Sequence, residues 1–189
     1  MFNKLLENVL TSRECEYIIH KGLSSDLKPL TTTKFENGKV VTTKVESYLN
    51  KRRGSYFINN DLSDSVLKKL SNNIVNILNE ITPFNGVNYT DVKKYTFNEY
   101  NQKDFLGWHA DLHETQLGAT STIIIQLNDN YEGGDVLYKI NDEVLSVPKK
   151  QGSIFIFDSN IEHCVSEVEL GKRYSMNSWP SSVIKKQLF

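Results

Sequence analysis

With 189 residues, Lys+Arg 22, Asp+Glu 23 and a formal net charge of -1, the chain carries no overall basic field that would draw it to nucleic acid or an anionic membrane. Its hydrophobic content of 39% is that of a globular protein, and no run approaches the roughly 18 consecutive apolar residues of a membrane helix. The length predicts one domain, 1–189, large enough to bury its own core.

At the start, MFNKLLENVLTSRE interrupts a short apolar stretch with Lys4 and Glu7 and offers no small-residue cleavage site. A signal peptide is therefore not expected, and the predicted location is cytoplasmic. In that compartment Cys15 and Cys164 are expected to be free thiols. Thr11 or Ser12 can cap a helix through Lys21, with Cys15, Ile18 and Ile19 on one face and Gly22 as its C-terminal stop. β-Branched and aromatic residues predict strands over 39–49 and 55–58. A longer helix is predicted over 63–81, where Val66, Leu67, Leu70, Ile74, Ile77, Leu78 and Ile81 recur at three- and four-residue steps, and Pro83 ends it.

From Asp91 the pattern changes to short strands, predicted at 92–100, 119–128, 135–140, 143–147, 153–157, 162–168 and 173–180. Gly118, Gly133-Gly134, Asn141-Asp142, Gly152 and Gly171 punctuate them. This spacing predicts a mainly β sandwich, barrel or jelly roll over 91–180, braced by N-terminal helices and strands of a support region, 1–90.

Four histidines are present, and His109 opens the triplet His109-Ala110-Asp111. In an extended segment, positions two apart point the same way, so an imidazole and a carboxylate converge. His163, near the other end of the β-rich region, can supply a third ligand. Two imidazoles and one carboxylate on one face of a metal are the facial triad of non-haem Fe(II) oxygenases; zinc with the same donors is the competitor. Arg173 follows His163 by ten residues across Gly171 and is expected beside it on an adjacent antiparallel strand. Its planar fork suits a carboxylate, and with only four arginines against eighteen lysines an Arg there is not casual surface charge. Arg173, Ser175 and Asn177 share one strand face, while Tyr174 and Met176 take the other. His20 reads as a helix-end surface residue, Cys164 as a small core residue, and Arg52 and Arg53 beside Gly54 as a solvated basic turn, with contact to an acidic or peptide substrate as the functional alternative.

Three segments carry a family resemblance: YNQKDFLGWHAD at 100–111, LNDNYEGGDVLY at 127–138, and GSIFIFDSNIEHCVSEVELGKRYSMNSW at 152–179. They resemble the 2-oxoglutarate/Fe(II)-dependent dioxygenases, nearest to the prolyl 4-hydroxylase-like group and its bacterial PKHD-type hydroxylases. The resemblance implies a double-stranded β-helix of jelly-roll, cupin-like type. It implies iron held by His109, Asp111 and His163, and the distal carboxylate of 2-oxoglutarate held by Arg173, with Tyr100, Gln126 and Ser175 as further cosubstrate-binding candidates. His113 receives no ligand role and reads as loop or cleft wall. Fe(II), 2-oxoglutarate and O2 follow as cofactor and cosubstrates, with ascorbate in support. The implied reaction hydroxylates a carbon centre, a peptidyl prolyl or other amino-acid side chain being the candidate, with release of succinate and CO2.

The chain departs from the prolyl 4-hydroxylase pattern at several points. Arg173 stands where Lys is usual, which points to the PKHD-type side or to another branch; Lys103 stands where Gly is common, and Gln126 where Tyr is frequent. Trp179 occupies the place of the second Arg of DNA-repair dioxygenases, so nucleobase demethylation is not expected. Small and apolar residues, Ile123, Ile124, Ile125, Ile154 and Phe155, are expected to line the pocket, and loops over 29–38, 50–54 and 101–108 to meet the substrate. That partner is a peptide, protein or small molecule rather than nucleic acid or membrane. Two other function classes stay open at this point: a non-catalytic jelly roll binding a metal or small acid, and a zinc hydrolase on a cupin-like barrel.

Overall fold

The computed structural model describes residues 2–31, 33–36, 39–42, 50–58, 64–81, 87–111 and 121–184. In chain order the elements are β1 (Asn3–Leu6), α1 (Ser12–Leu23), β2 (Lys28–Pro29), β3 (Thr33–Glu36), β4 (Lys39–Thr42), β5 (Asn50–Lys51), β6 (Arg53–Ile58), α2 (Ser65–Ile81), β7 (Val87–Asp91), β8 (Lys94–Tyr100) and β9 (Phe105–His109). The second half continues with β10 (Ser121–Gln126), β11 (Glu132–Gly133), β12 (Val136–Ile140), β13 (Glu143–Ser146), β14 (Ile154–Asp158), β15 (His163–Val165), β16 (Val168–Leu170), β17 (Arg173–Ser178) and β18 (Ser181–Ile184).

Two antiparallel sheets make the body, one of seven strands in the order β1-β14-β10-β17-β8-β6-β2 and one of five in the order β13-β12-β15-β9-β5. They pack as a double-stranded β-helix. Strand β10 shows how the layers are sewn together, because all six of its residues are buried. By alternation Ile123 and Ile125 join the cluster that covers the helices, while Ile124 joins the cluster between the sheets. The pocket expected from five residues is thus corrected: only Ile124 and Phe155 face the interior, and Ile123, Ile125 and Ile154 brace the helical layer.

Helix α1 begins as its sequence dictates. The Thr11 hydroxyl accepts from the Glu14 backbone N–H at 3.2 Å, and the Glu14 carboxylate accepts from the Thr11 backbone N–H at 2.9 Å, which is a complete capping box. Gly22, expected as the stop, lies inside the helix, and Ser24 is the C-cap. The glycine is required by packing: a β-carbon there would lie 2.6 Å from the Phe97 ring of central strand β8. Helix α2 starts at Ser65 rather than 63, capped by Asp64, whose carboxylate accepts from the Leu67 N–H at 3.0 Å. Leu67, Leu70, Ile74 and Leu78 form its buried stripe against Tyr95 and Phe97.

Several boundaries differ from expectation. Strand β1, read only as a non-signal N-terminus, pairs with β14 and forms one edge of the larger sheet. The segment 162–168 splits into β15 and β16, which belong to different sheets. The supposed loops contain strands β2, β3, β5, β9 and the start of β6. Positions 43–49, Pro83, His113 and Gly118 lie outside the described residues. The turn residues behave as read: Asn141 and Asp142 both take positive φ, 50° and 66°, in the tight hairpin between β12 and β13. Lys103 adopts φ 68°, the left-handed conformation that glycine would take, and its N–H donates to the Val168 carbonyl at 2.8 Å, so the loop keeps the glycine-type geometry. Cys15 and Cys164 are free and buried, and burial pushes their thiols up to about 12 and about 11. Among the described residues no helix is long and apolar enough to cross a membrane.

The packing of Gly22 yields a prediction opposite in sign to helix propensity. Alanine in a helix interior is worth roughly 0.5–1 kcal/mol over glycine, but here the added methyl overpacks the Phe97 ring. Gly22→Ala is expected to destabilise by about 1–3 kcal/mol in urea unfolding; equal or greater stability would refute the close approach.

Candidate metal and cosubstrate site

His109 is the last residue of β9 and His163 the first of β15, and the two are directly paired across the five-stranded sheet. Their rings lie 4.2 Å apart between centroids, tilted by 48°. Asp111 follows two residues after His109, past the strand end, where its backbone N–H donates to the Ser159 carbonyl at 2.9 Å. One donor atom from each of the three side chains lies within 4.8 Å of the others. His109 Nε2 is 3.7 Å from Asp111 Oδ1, and His163 Nε2 is 3.7 Å from Asp111 Oδ2.

Each side chain is held from behind. The His109 Nδ1 contacts the Gly107 carbonyl at 2.8 Å, and the His163 Nδ1 contacts the Ile161 carbonyl at 3.0 Å. A carbonyl oxygen only accepts, so in both rings Nδ1 is the donor, and Nε2 is the ring atom turned toward the Asp111 carboxylate. Thr122 donates to Asp111 Oδ2 at 2.7 Å and contacts the Ser159 hydroxyl at 3.0 Å. The Phe157 ring meets His163 edge-on at 4.8 Å. These are the supports that fix ligand orientation and tautomer in metal sites.

Electrostatics agree with that geometry. Burial, and next the neighbouring His163, push His109 down to about 4, with the positive charge of Arg52 acting in the same direction. The imidazole is therefore neutral at pH 7, the form that binds a cation. Burial opposes ionisation of Asp111, but His163, His109, the Thr122 hydroxyl and the Trp179 indole together hold its carboxyl below the usual carboxylate range. Two imidazole nitrogens and one anionic oxygen gathered at one point are a donor set for a divalent cation.

Arg173 opens β17 in the other sheet, paired with Tyr100. The expectation that it stands beside His163 on an adjacent strand is corrected. Strand β15 pairs with β12 and β9, and β17 pairs with β10 and β8, so the two residues belong to opposing walls of the roll. At 1% exposure Arg173 heads the large side chains that are fully buried. Its Nη1 donates to the Ser175 hydroxyl at 2.7 Å and its Nη2 to Gln126 Oε1 at 3.2 Å, while the guanidinium carbon lies 5.0 Å over the Tyr100 ring. Nε has no partner, and no carboxylate among the described residues lies within ion-pair distance of the group.

The sequence-predicted candidates therefore gather at two places. His109, Asp111 and His163 form one group, and Arg173, Tyr100, Gln126 and Ser175 the other. Gln126 turns its amide hydrogens to the Asn128 carbonyl and the Tyr131 hydroxyl and its oxygen to Arg173, so it supports the arginine rather than donating to a ligand. His20 is exposed on α1, as read. Arg53 is exposed and donates to the Leu27 carbonyl, but Arg52 is not a solvated turn residue, since it is half-buried and bonded to Asn98 and Asn50. Sequence reading missed Thr122 and Ser159 as supports of Asp111. Thr122 was legible in principle, standing at steps of two from Ile124 and Gln126 on the inward face of β10.

Known proteins match this frame. The model of the 2OG-Fe(II) oxygenase superfamily matches residues 95–181. A PKHD-type hydroxylase of Alteromonas mediterranea is 24% identical over 137 residues, covering 67% of this chain and 61% of that protein. The chain thus spans about three fifths of the length of this curated relative. A Pseudomonas putida prolyl-4-hydroxylase superposes with a TM-score of 0.73 at 14% identity, over 95% of this chain and 91% of the other. A Trichoplax adhaerens prolyl hydroxylase, solved in complex with a peptide fragment of the hypoxia inducible factor oxygen degradation domain, gives 0.71 at 14% identity, over 95% and 83%. At such identities the structural matches speak for the fold alone.

Metal binding is testable before any reaction is. Mn(II), a redox-silent probe, is expected to raise the melting temperature of the wild type by linkage and to leave Asp111→Ala and His163→Ala unmoved. Thr122→Val is expected to weaken Mn(II) binding about 10- to 100-fold through loss of the Asp111 support; wild-type affinity in all three would refute the site. Residues 95–181 match the model of the 2OG-Fe(II) oxygenase superfamily, and the fold that surrounds them is the one seen in the prolyl hydroxylase structures.

Proposed function

We propose that the chain is a 2-oxoglutarate- and Fe(II)-dependent dioxygenase that hydroxylates a carbon centre of an amino-acid side chain, a peptidyl prolyl among the candidates. The observation that carries this reading is the Arg173 guanidinium, sealed in the roll with two neutral hydrogen-bond partners, an unpartnered Nε and no counter-ion among the described residues. A buried charge without a partner is costly, and a carboxylate offered to a planar fork offsets that cost. His109, Asp111 and His163 are the proposed iron ligands. Iron bound there supplies the oxidation, in which 2-oxoglutarate, O2 and a C–H bond become succinate, CO2 and a C–OH group. Arg173 takes the distal carboxylate of 2-oxoglutarate, with Ser175 and Gln126 fixing its fork and Tyr100 supporting its face. Phe155, Phe157 and Ile124 exclude water between the two groups.

The whole chain, 1–189, is proposed to work as one dioxygenase domain, with 91–180 as catalytic core and 1–90 as support. Strands β1 and β6 of the first region complete the larger sheet, which supports this division. The peptide bound to the Trichoplax neighbour supports a peptide or protein as the second reactant. A cytoplasmic location fits the two free thiols. The family match favours neither the zinc hydrolase nor the non-catalytic binding protein.

With Fe(II) and ascorbate, the protein is expected to convert 2-oxoglutarate to succinate, to lose this activity to a chelator and to recover it with Fe(II) but not Zn(II), which has no accessible redox step. In anaerobic titrations with Fe(II) bound, Arg173→Ala should raise the 2-oxoglutarate Kd by roughly 30-fold to several thousand-fold, the equivalent of about 2–5 kcal/mol. Arg173→Lys should fall between, and iron affinity should stay constant in both. An unchanged Kd in Arg173→Ala would sink the assignment.

A further inference from the structure

A second arginine stands where the two sheets meet. Strand β5 pairs with β9, which carries His109, and β6 pairs with β8, which pairs in turn with β17 and Arg173. Arg52 is the one residue between β5 and β6, so it occupies the seam where the chain leaves the wall of the histidines for the wall of Arg173. Its Nε donates to Asn98 Oδ1 at 3.1 Å and its Nη1 to Asn50 Oδ1 at 2.7 Å, which fixes the plane of the guanidinium. Both asparagines are fully buried. Each is anchored by its own amide, Asn98 on Asn177 Oδ1 at 3.0 Å and Asn50 on the Leu30 carbonyl.

Asn177 and Arg173 lie four residues apart on one face of β17. A hydrogen-bonded series, Asn177 to Asn98 to Arg52, therefore crosses the inner wall from β17 over β8 to the start of β6, on the strand face that also carries Arg173. Two wholly buried amides holding one half-buried cation at a sheet crossing is costly apparatus for a surface turn. The Lys-rich composition makes the fork a specific choice here as well, since a lysine cannot hold two asparagines in one plane.

We propose that Arg52 is a specificity-determining residue that binds a carboxylate of the second reactant, which makes that reactant an acidic amino-acid derivative or an acidic residue of a peptide. The proposal rests on the dioxygenase reading. In that reading the distal carboxylate of 2-oxoglutarate is assigned to Arg173 and its 2-oxo acid end would be held by the iron, so a carboxylate at Arg52 comes from the substrate. Its position between the strand paired with β9 and the strand paired with β8 sets the acid group at the seam of the two walls.

The test uses protein loaded with Mn(II) and 2-oxoglutarate. A panel of N-acetyl amino acids and the matching N-acetyl amino-acid amides is added, and paramagnetic broadening of the acetyl methyl signals reports binding near the metal. At least one acid is expected to broaden at concentrations where its amide does not. In Arg52→Gln that affinity should fall about 10- to 100-fold, with partial retention in Arg52→Lys and an unchanged Kd for 2-oxoglutarate in both. No acid outperforming its amide, or an acid preference that survives Arg52→Gln, overturns the proposal; if Arg52→Gln does not fold, the wild-type contrast and Arg52→Lys decide it. Failure of 2-oxoglutarate itself to bind the Mn(II) protein would be a separate result, overturning the cosubstrate reading and this inference with it.

Discussion

A guanidinium cannot be left dry and unpaired inside a protein without a large penalty, and among the described residues Arg173 has a hydroxyl, an amide oxygen and an aromatic face as its partners and no carboxylate. Much of the inner architecture follows from keeping that group in place. Ser175 and Gln126 come from paired positions on adjacent strands β17 and β10, so the register of the sheet itself aims the fork. Gln126 is in turn held by Asn128 and Tyr131, which leaves its oxygen no other role. The cost is accepted because the fork is ready before its anion arrives, and preorganised charge needs no rearrangement when it is used.

The opposing wall applies the same economy to the triad. Backbone carbonyls two residues upstream of each histidine select the tautomer, and Thr122 reaches across from the other sheet to steady Asp111. Neither histidine depends on a flexible side chain for its orientation. The helices contribute at one remove: their apolar stripes seal the outer face of the larger sheet, so β10 and β17 can spend their inner faces on polar groups. Without that outer layer, a sheet whose inner face carries Thr122, Gln126, Arg173, Ser175 and Asn177 would have too little apolar surface to bury.

Much of this was legible in the residues alone. Strand alternation and turn chemistry placed β8, β10, β12, β13, β14 and β17 to within a few residues, and the N-cap candidate Thr11 and the apolar stripes placed the two helices, because those signals are local and each has its own physical cause; β9, which carries His109, read as a loop. The triplet at His109 and Asp111 and the lone Arg173 stood out by chemistry and rarity. Edge strands were invisible: β2 and β5 are two residues long, and β1 is an apolar stretch broken by Lys4, none with the periodicity that identifies a strand. Gly22 misled for the same reason, since its cause is a phenyl ring 75 positions away in sequence.

What the amino-acid order determined by itself was the set of groups able to do chemistry and the period of the elements that carry them. Which groups meet was decided by tertiary structure. His163 and Arg173 are ten positions apart and were expected side by side, yet a crossover between sheets sends them to opposite walls. Arg52 resembled a solvated turn residue until the passage from β5 to β6 turned it into a bridge between those walls. Local preferences act within a few residues, whereas strand partnership is settled by how whole faces bury one another. That choice is made only when all the faces are present.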